Sequence, residues 1–113
     1  PDEKAQPFSL ASFGASGLDV LVPMSLKLRQ THDMGWPHLF SLMSYRPAQI
    51  LGLAGGKLGI GAPADLVMIN PDSAYILKSA GFKSQSRITP FEGTPCEGKV
   101  TGCWVGGKNQ FQQ

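Results

Sequence analysis

The order of apolar patterns predicts an α/β chain. Residues 18–53 place their apolar side chains at helical spacing, residues 65–69 and 100–105 read as short strands, and a glycine-rich stretch lies between them. Helices first and strands afterwards fit two layers: the last helices of a larger α/β body, then part of a separate small β domain. At 113 residues, with 42% hydrophobic and 16% charged content, one globular domain or a part of one is all that fits.

Residues 1–17 show no sustained periodicity and carry the turn-rich string Ser12-Phe13-Gly14-Ala15-Ser16-Gly17, which predicts a long ordered loop. Phe8, Leu10 and Phe13 are expected to pack it against something. From 18 to 30 the residues Leu18, Leu21, Val22, Met24, Leu26 and Leu28 cover more than one helix face, so this helix is expected to be buried between layers, with Pro23 kinking it or marking its first turn. A second helix starts at Trp36-Pro37 with Leu39, Phe40, Leu42 and Met43 inward, and Arg46-Pro47 is expected to interrupt it. A third, residues 47–53, should stop in the cluster Gly52, Gly55 and Gly56. The strands are expected to be separated by turns at Asn70-Pro71-Asp72 and Gly93-Thr94-Pro95. Val105-Gly106-Gly107-Lys108 carries a two-glycine hairpin signal.

Charge excludes several partner classes. The net charge is +2, with ten basic and eight acidic residues spread along the chain, and no Lys/Arg run builds a stripe for a phosphate backbone, so no nucleic acid is expected. The most apolar stretch, residues 18–28, is broken by Asp19, Pro23, Ser25 and Lys27 and falls short of the roughly 20 residues a membrane span needs. Neither a membrane segment nor a signal peptide is expected. Cys96 and Cys103 lack the spacing of a zinc or redox pair, and reduced thiols of a cytoplasmic protein are the expected state.

Motif by motif, the chain offers no chemistry of its own. Leu51 and Leu58 stand where a P-loop around Gly56-Lys57 needs glycine and Ser/Thr. Gly59-x-Gly61-x-x-Ala64 matches the dinucleotide fingerprint in letters but follows a helix and opens a strand, the reverse of the required order. His32 and His38 read as polar loop residues rather than a ligand pair. No nucleophile elbow or paired carboxylates occur, so neither catalytic nor metal-ligating residues are assigned.

A resemblance covers nearly the whole chain. Residues 2–8 (DEKAQPF) with Phe13-Gly14-Ala15-Ser16-Gly17-Leu18 resemble the segment after the last metal-ligand motif of dihydroorotases. Residues 46–53 (RPAQILGL) are similar to that family's helix just beyond the barrel. Residues 59–67 (GIGAPADLV) resemble its entry into the C-terminal β domain, a segment shared widely among cyclic-amide hydrolases. Residues 83–93 (KSQSRITPFEG) resemble a stretch near the end of dihydroorotases and allantoinases, and Lys99-Val100 with Val105-Gly106-Gly107 complete the usual last hairpin.

The resemblance implies the C-terminal part of a (β/α)8 TIM barrel, its last loop and helices, joined to part of a small β-sandwich. Residues 1–58 would end the barrel, and residues 59–113 would supply the C-terminal strands of the composite sandwich. The implied enzyme is a zinc-dependent dihydroorotase that interconverts N-carbamoyl-aspartate and dihydroorotate in pyrimidine biosynthesis. The family's HxH pair, carboxylated lysine, two later histidines and aspartate have no counterpart in this segment. Alone it is expected to bind no zinc and to be inactive. Its implied partners are the remainder of the barrel, a small-molecule substrate, and either aspartate transcarbamoylase or further copies of the chain. The resemblance places Phe13 and Gly14 against the substrate through main-chain groups. A catalytically silent dihydroorotase-like scaffold for aspartate transcarbamoylase, and another cyclic-amide hydrolase such as an allantoinase or dihydropyrimidinase, stay open as alternatives.

Overall fold

The computed structural model describes residues 4–111; Pro1, Asp2 and Glu3 of the expected opening loop, and Gln112 and Gln113, lie outside the described residues. Residues 4–17 are turns and extended backbone, as expected of a loop. Phe8, Leu10 and Phe13, expected to pack, are instead exposed, and no part of the described chain covers them. A 3-10 turn at Leu18–Val20 leads into α1, Leu21–Thr31. Pro23 falls in the first turn of α1, where its missing N–H would have gone without an intrahelical acceptor.

Two boundaries differ from the sequence reading. The chain turns at 32–35 into α2, Trp36–Phe40, which does not break at Arg46-Pro47; it runs through a π-helical turn, Ser41–Tyr45, into α3, Arg46–Ile50. Pro47 cannot donate to a carbonyl one turn back, and the wider turn just ahead of it accommodates the missing bond without ending the helix. α3 stops at Ile50 rather than Leu53, because Gly52 N–H bonds Gln49 O (3.2 Å) and Leu53 N–H bonds Ala48 O (2.8 Å), closing the last carbonyls. Between α1 and α2, Arg29 lies 4.1 Å over the Trp36 ring and donates from Nη1 to Met34 O at 3.0 Å.

The strands form one antiparallel sheet in the order β1 (Leu66–Ile76), β2 (Pro95–Val105), β3 (Lys108–Asn109). Leu66 faces Trp104 and Ile76 faces Pro95 at the two ends of the long ladder. The expected turn at Asn70-Pro71-Asp72 is a bulge inside β1: the register slips between Asn70 and Ala74, and Asn70 Oδ1 accepts from Asp72 N–H at 3.1 Å. Proline is tolerated there because a bulged residue owes the ladder no N–H. β2 begins at Pro95, earlier than the expected Lys99 or Val100. The Gly106-Gly107 turn is as expected, with φ of +55° and +78° and Val105 facing Lys108. Among the described residues there is one sheet, and no second sheet faces it to make a sandwich.

α1 packs on β2. Val20, Leu77 and Cys96 form the centre of the core, with Met24, Tyr75, Phe82 and Phe91 against them. Leu26, only 4% exposed, sits over Gly98 of β2, where a Cβ would lie 2.1 Å from Leu26 Cδ1. Gly98 also has φ +90°, so both contact and backbone require glycine. Elsewhere apolar surface is open: Leu18 on the 3-10 turn, Leu21 and Leu28 on α1, Ile50 at the end of α3, Leu51 and Leu53 after it, and Leu66, Val67 and Met68 on β1. The radius of gyration is 16.4 Å, against about 13 Å for a compact domain of this size. No helix among the described residues is long and apolar enough to cross a membrane.

Candidate functional site

The loop carrying Phe13 and Gly14 is fixed from three directions. Lys4 Nζ donates to Ser12 O and, at 2.6 Å, to Gly14 O, so one ammonium holds the carbonyls on either side of Phe13. No peptide in the described chain is cis. In a planar trans peptide the N–H points opposite to the carbonyl, so the N–H groups of Phe13 and Ala15 face away from the ammonium. Among the described residues, the N–H groups of Phe13, Gly14 and Ala15 meet no acceptor. Gly14 has φ +83° and no atom within 4 Å of a built Cβ, which leaves its backbone open to close approach. Phe13 is fully exposed.

The second anchor joins the loop to residues 83–88. Ser16 N–H donates to Ile88 O at 2.7 Å, and Ser16 Oγ donates to Ser86 O at 2.6 Å. The third lies one turn further on: Asp19 accepts from Lys83 N–H (2.8 Å), from Ser84 N–H (3.3 Å) and from the Ser84 hydroxyl. The Ser84 hydroxyl is the main reason that the Asp19 carboxyl is held below its ordinary value of 3.8; partial burial opposes this, and the Lys83 and Ser84 N–H groups add to it. Together these segments line a cleft of about 300 Å³ formed by Lys4, residues 12–16, Ser86 and Ile88. Two stretches singled out in the sequence for different reasons, the FGASGL loop and the KSQSR string, are therefore physical neighbours. Asp19, Ser16, Ser84 and Ser86 were not legible as partners, since they lie 64 to 70 residues apart and no local pattern pairs them.

The other sequence candidates stay apart from this cleft. His32 caps the end of α1 and His38 lies on α2, both exposed. Gly56 packs closely on Ala48 and Ser44, a helix-end contact rather than a phosphate cradle. Cys96 and Cys103 are free thiols. Burial raises the Cys96 thiol against the opposing pull of Lys27 and Tyr75. Among the described residues no three His, Cys, Asp or Glu side chains gather as a metal would require, so these residues do not fit zinc.

The amidohydrolase family model matches residues 8–109. Over 110 residues the chain is 36% identical to a dihydroorotase of Anaplasma phagocytophilum (strain HZ), an alignment covering 97% of this chain and 25% of that protein. It is 39% identical over 113 residues to a dihydroorotase of Desulforapulum autotrophicum, covering 100% of this chain and 26% of that one. Among solved structures, an L-hydantoinase (dihydropyrimidinase) from Arthrobacter aurescens superposes with a TM-score of 0.83 at 28% identity, over 89% of this chain and 23% of its own. A D-hydantoinase at 18% identity, TM-score 0.88, shares the fold. The chain spans about a quarter of the length of the curated relatives it matches. With a family match over nearly all described residues, and dihydroorotases aligned along almost its whole length, this chain belongs to the amidohydrolase family.

Proposed function

We propose that this chain is the C-terminal part of a zinc-dependent dihydroorotase, which interconverts N-carbamoyl-aspartate and dihydroorotate in pyrimidine biosynthesis in the cytoplasm. The observation that carries this reading is the alignment of dihydroorotases with the whole chain, including the loop at Phe13 and Gly14. In that reading the preceding polypeptide forms the (β/α)8 barrel, covers the open apolar faces of α1 and β1, and completes a β-sandwich around the sheet. Zinc would be held by that barrel and would supply Lewis-acid chemistry there.

The role left to this segment is binding. Dihydroorotate presents ring carbonyl and carboxylate oxygens, which are acceptors only. Among the described residues, the N–H groups of Phe13, Gly14 and Ala15 are donors without partners, on an open backbone. Because Lys4 and Ser16 already fix this turn, little ordering is left to be done when substrate arrives. Aspartate transcarbamoylase or a second copy of the enzyme would act as partner through surfaces outside this cleft.

The likeness to an L-hydantoinase supports a second reading, a hydrolase of a different cyclic amide on the same scaffold. The complete polypeptide should therefore be assayed with dihydroorotate, N-carbamoyl-aspartate, hydantoin, dihydrouracil and allantoin. Turnover of the first two alone is expected. Turnover of hydantoin or dihydrouracil without dihydroorotate would move the protein to the second reading, and no turnover of any ring would favour a silent scaffold.

A further inference from the structure

We infer that Asp19 is a positioning residue for the substrate-contacting turn, acting through residues 83–88 rather than by touching substrate. This rests on the reading of Phe13 and Gly14 as substrate contacts. The hydrogen bonds close a ring. Asp19 grips the start of the 83–88 segment through Lys83 and Ser84, and that segment offers Ser86 O and Ile88 O to Ser16, two residues beyond Gly14. Ser86 Oγ also accepts from Ile88 N–H at 3.4 Å, which fixes the spacing of the two carbonyls that receive Ser16.

The physical consequence is a shift in population rather than in chemistry. When Asp19 is removed, residues 83–88 lose their charged anchor and Ser16 loses a fixed pair of acceptors, so the turn samples other conformations. If the competent conformer falls to about a tenth of the population, apparent substrate affinity falls about tenfold while the bound complex reacts as before. Asp65 provides an internal control. Its Oδ1 accepts from Gly106 N–H at 2.7 Å, a carboxylate bracing a backbone turn in the same way, but at the end of the sheet with no path to Ser16.

The test uses the complete polypeptide with Asp19→Ala, Asp19→Asn and Asp65→Ala, read by two independent measurements. In hydrogen exchange, the Ser16 amide, which donates to Ile88 O, should exchange about tenfold faster in Asp19→Ala and at the wild-type rate in Asp65→Ala. In steady-state kinetics with dihydroorotate, Asp19→Ala should raise KM about tenfold with kcat within about twofold. Asp19→Asn, which keeps one acceptor oxygen, should fall between, and Asp65→Ala should match wild type. A Ser16→Ala, Asp19→Ala double variant should be no worse than the poorer single variant, because both act on one relay.

Unchanged exchange of the Ser16 amide in Asp19→Ala overturns the proposal. So does faster exchange with unchanged KM, which would leave Asp19 a structural brace only, or an Asp65→Ala enzyme with the same rise in KM. If the wild-type protein turns over no dihydroorotate, the functional reading fails separately, and the exchange measurement alone decides whether Asp19 holds the turn.

Discussion

Replacing Gly98 by alanine isolates the contact on which the helix and the sheet meet. The new methyl would lie 2.1 Å from Leu26 Cδ1 and 3.5 Å from its Cγ, inside a site where Leu26 is 4% exposed and has little room to turn. Overpacking of this kind costs about 1–3 kcal/mol. The backbone adds its own penalty, since φ +90° is unfavourable for any residue with a Cβ by about 1–2 kcal/mol. The sum is about 2–5 kcal/mol, measured as a shift of the urea midpoint at constant slope in the complete polypeptide. Truncating the opposing side chain separates the two parts. In Leu26→Ala the clash is gone, so Gly98→Ala on that background should lose only the backbone part, about 1–2 kcal/mol. A Gly98→Ala protein within about 0.5 kcal/mol of wild type would refute the argument, and equal losses on both backgrounds would refute the steric half of it.

Four further outcomes follow from other parts of the structure. If the complete protein turns over dihydroorotate as proposed, Gly14→Val should lower kcat/KM at least about tenfold while its stability loss stays within the backbone penalty of about 1–2 kcal/mol. The reason is conformational, because φ is +83° and the space around the position is empty. The thiol of Cys96, buried and raised by that burial, should resist iodoacetamide at pH 8 and react at least about a hundredfold faster once urea unfolds the protein. The Asp19 carboxyl titrates below 3.8 when folded, so the stability it adds is present above that pH and lost as pH falls through the folded value; Asp19→Asn should flatten the acid limb of a stability profile below pH 3.8 and leave neutral pH unaffected by titration. The isolated segment should bind an apolar-surface dye, given its exposed Leu18, Leu21, Ile50, Leu51 and Val67, and a dye-silent, cooperatively melting monomer would contradict the reading as part of a larger domain.

Local chemistry made much of the fold legible. Pro37 near a helix start, the glycines that end α3, and Gly106-Gly107 between β2 and β3 each act through their own backbone, so their consequences are written where they stand. What failed had a non-local cause. Asn70-Pro71-Asp72 has the composition of a turn, yet β2 runs past on the other side and pulls it into a bulge. Pro47 reads as a helix break, and the π turn before it lets the helix pass. Phe8, Leu10 and Phe13 read as packed residues and are exposed, with none of the described residues covering them. At the candidate site, Phe13 and Gly14 were reached through the resemblance, and the φ of +83° at Gly14 is one that glycine supplies. Asp19, Ser84 and Ser86 were not legible, since a serine two residues from another serine carries no sign of a partner 70 positions away.

That long reach from Ser16 to Ser86 sets a clock on biosynthesis. The loop leaves the ribosome before the carbonyls that hold it, which are made 70 residues later, about 4–14 s at ordinary elongation rates. Until then the Phe13-Gly14 turn is held by Lys4 and lacks the acceptors of Ser16. A nascent or truncated polypeptide ending before residue 84 would therefore carry every residue of the turn and still not hold its shape. A stop before residue 84 removes the acceptors of Ser16 and β2 together, whereas a stop just after Ile88 would keep the anchor of the turn and still delete the strand that α1 packs on.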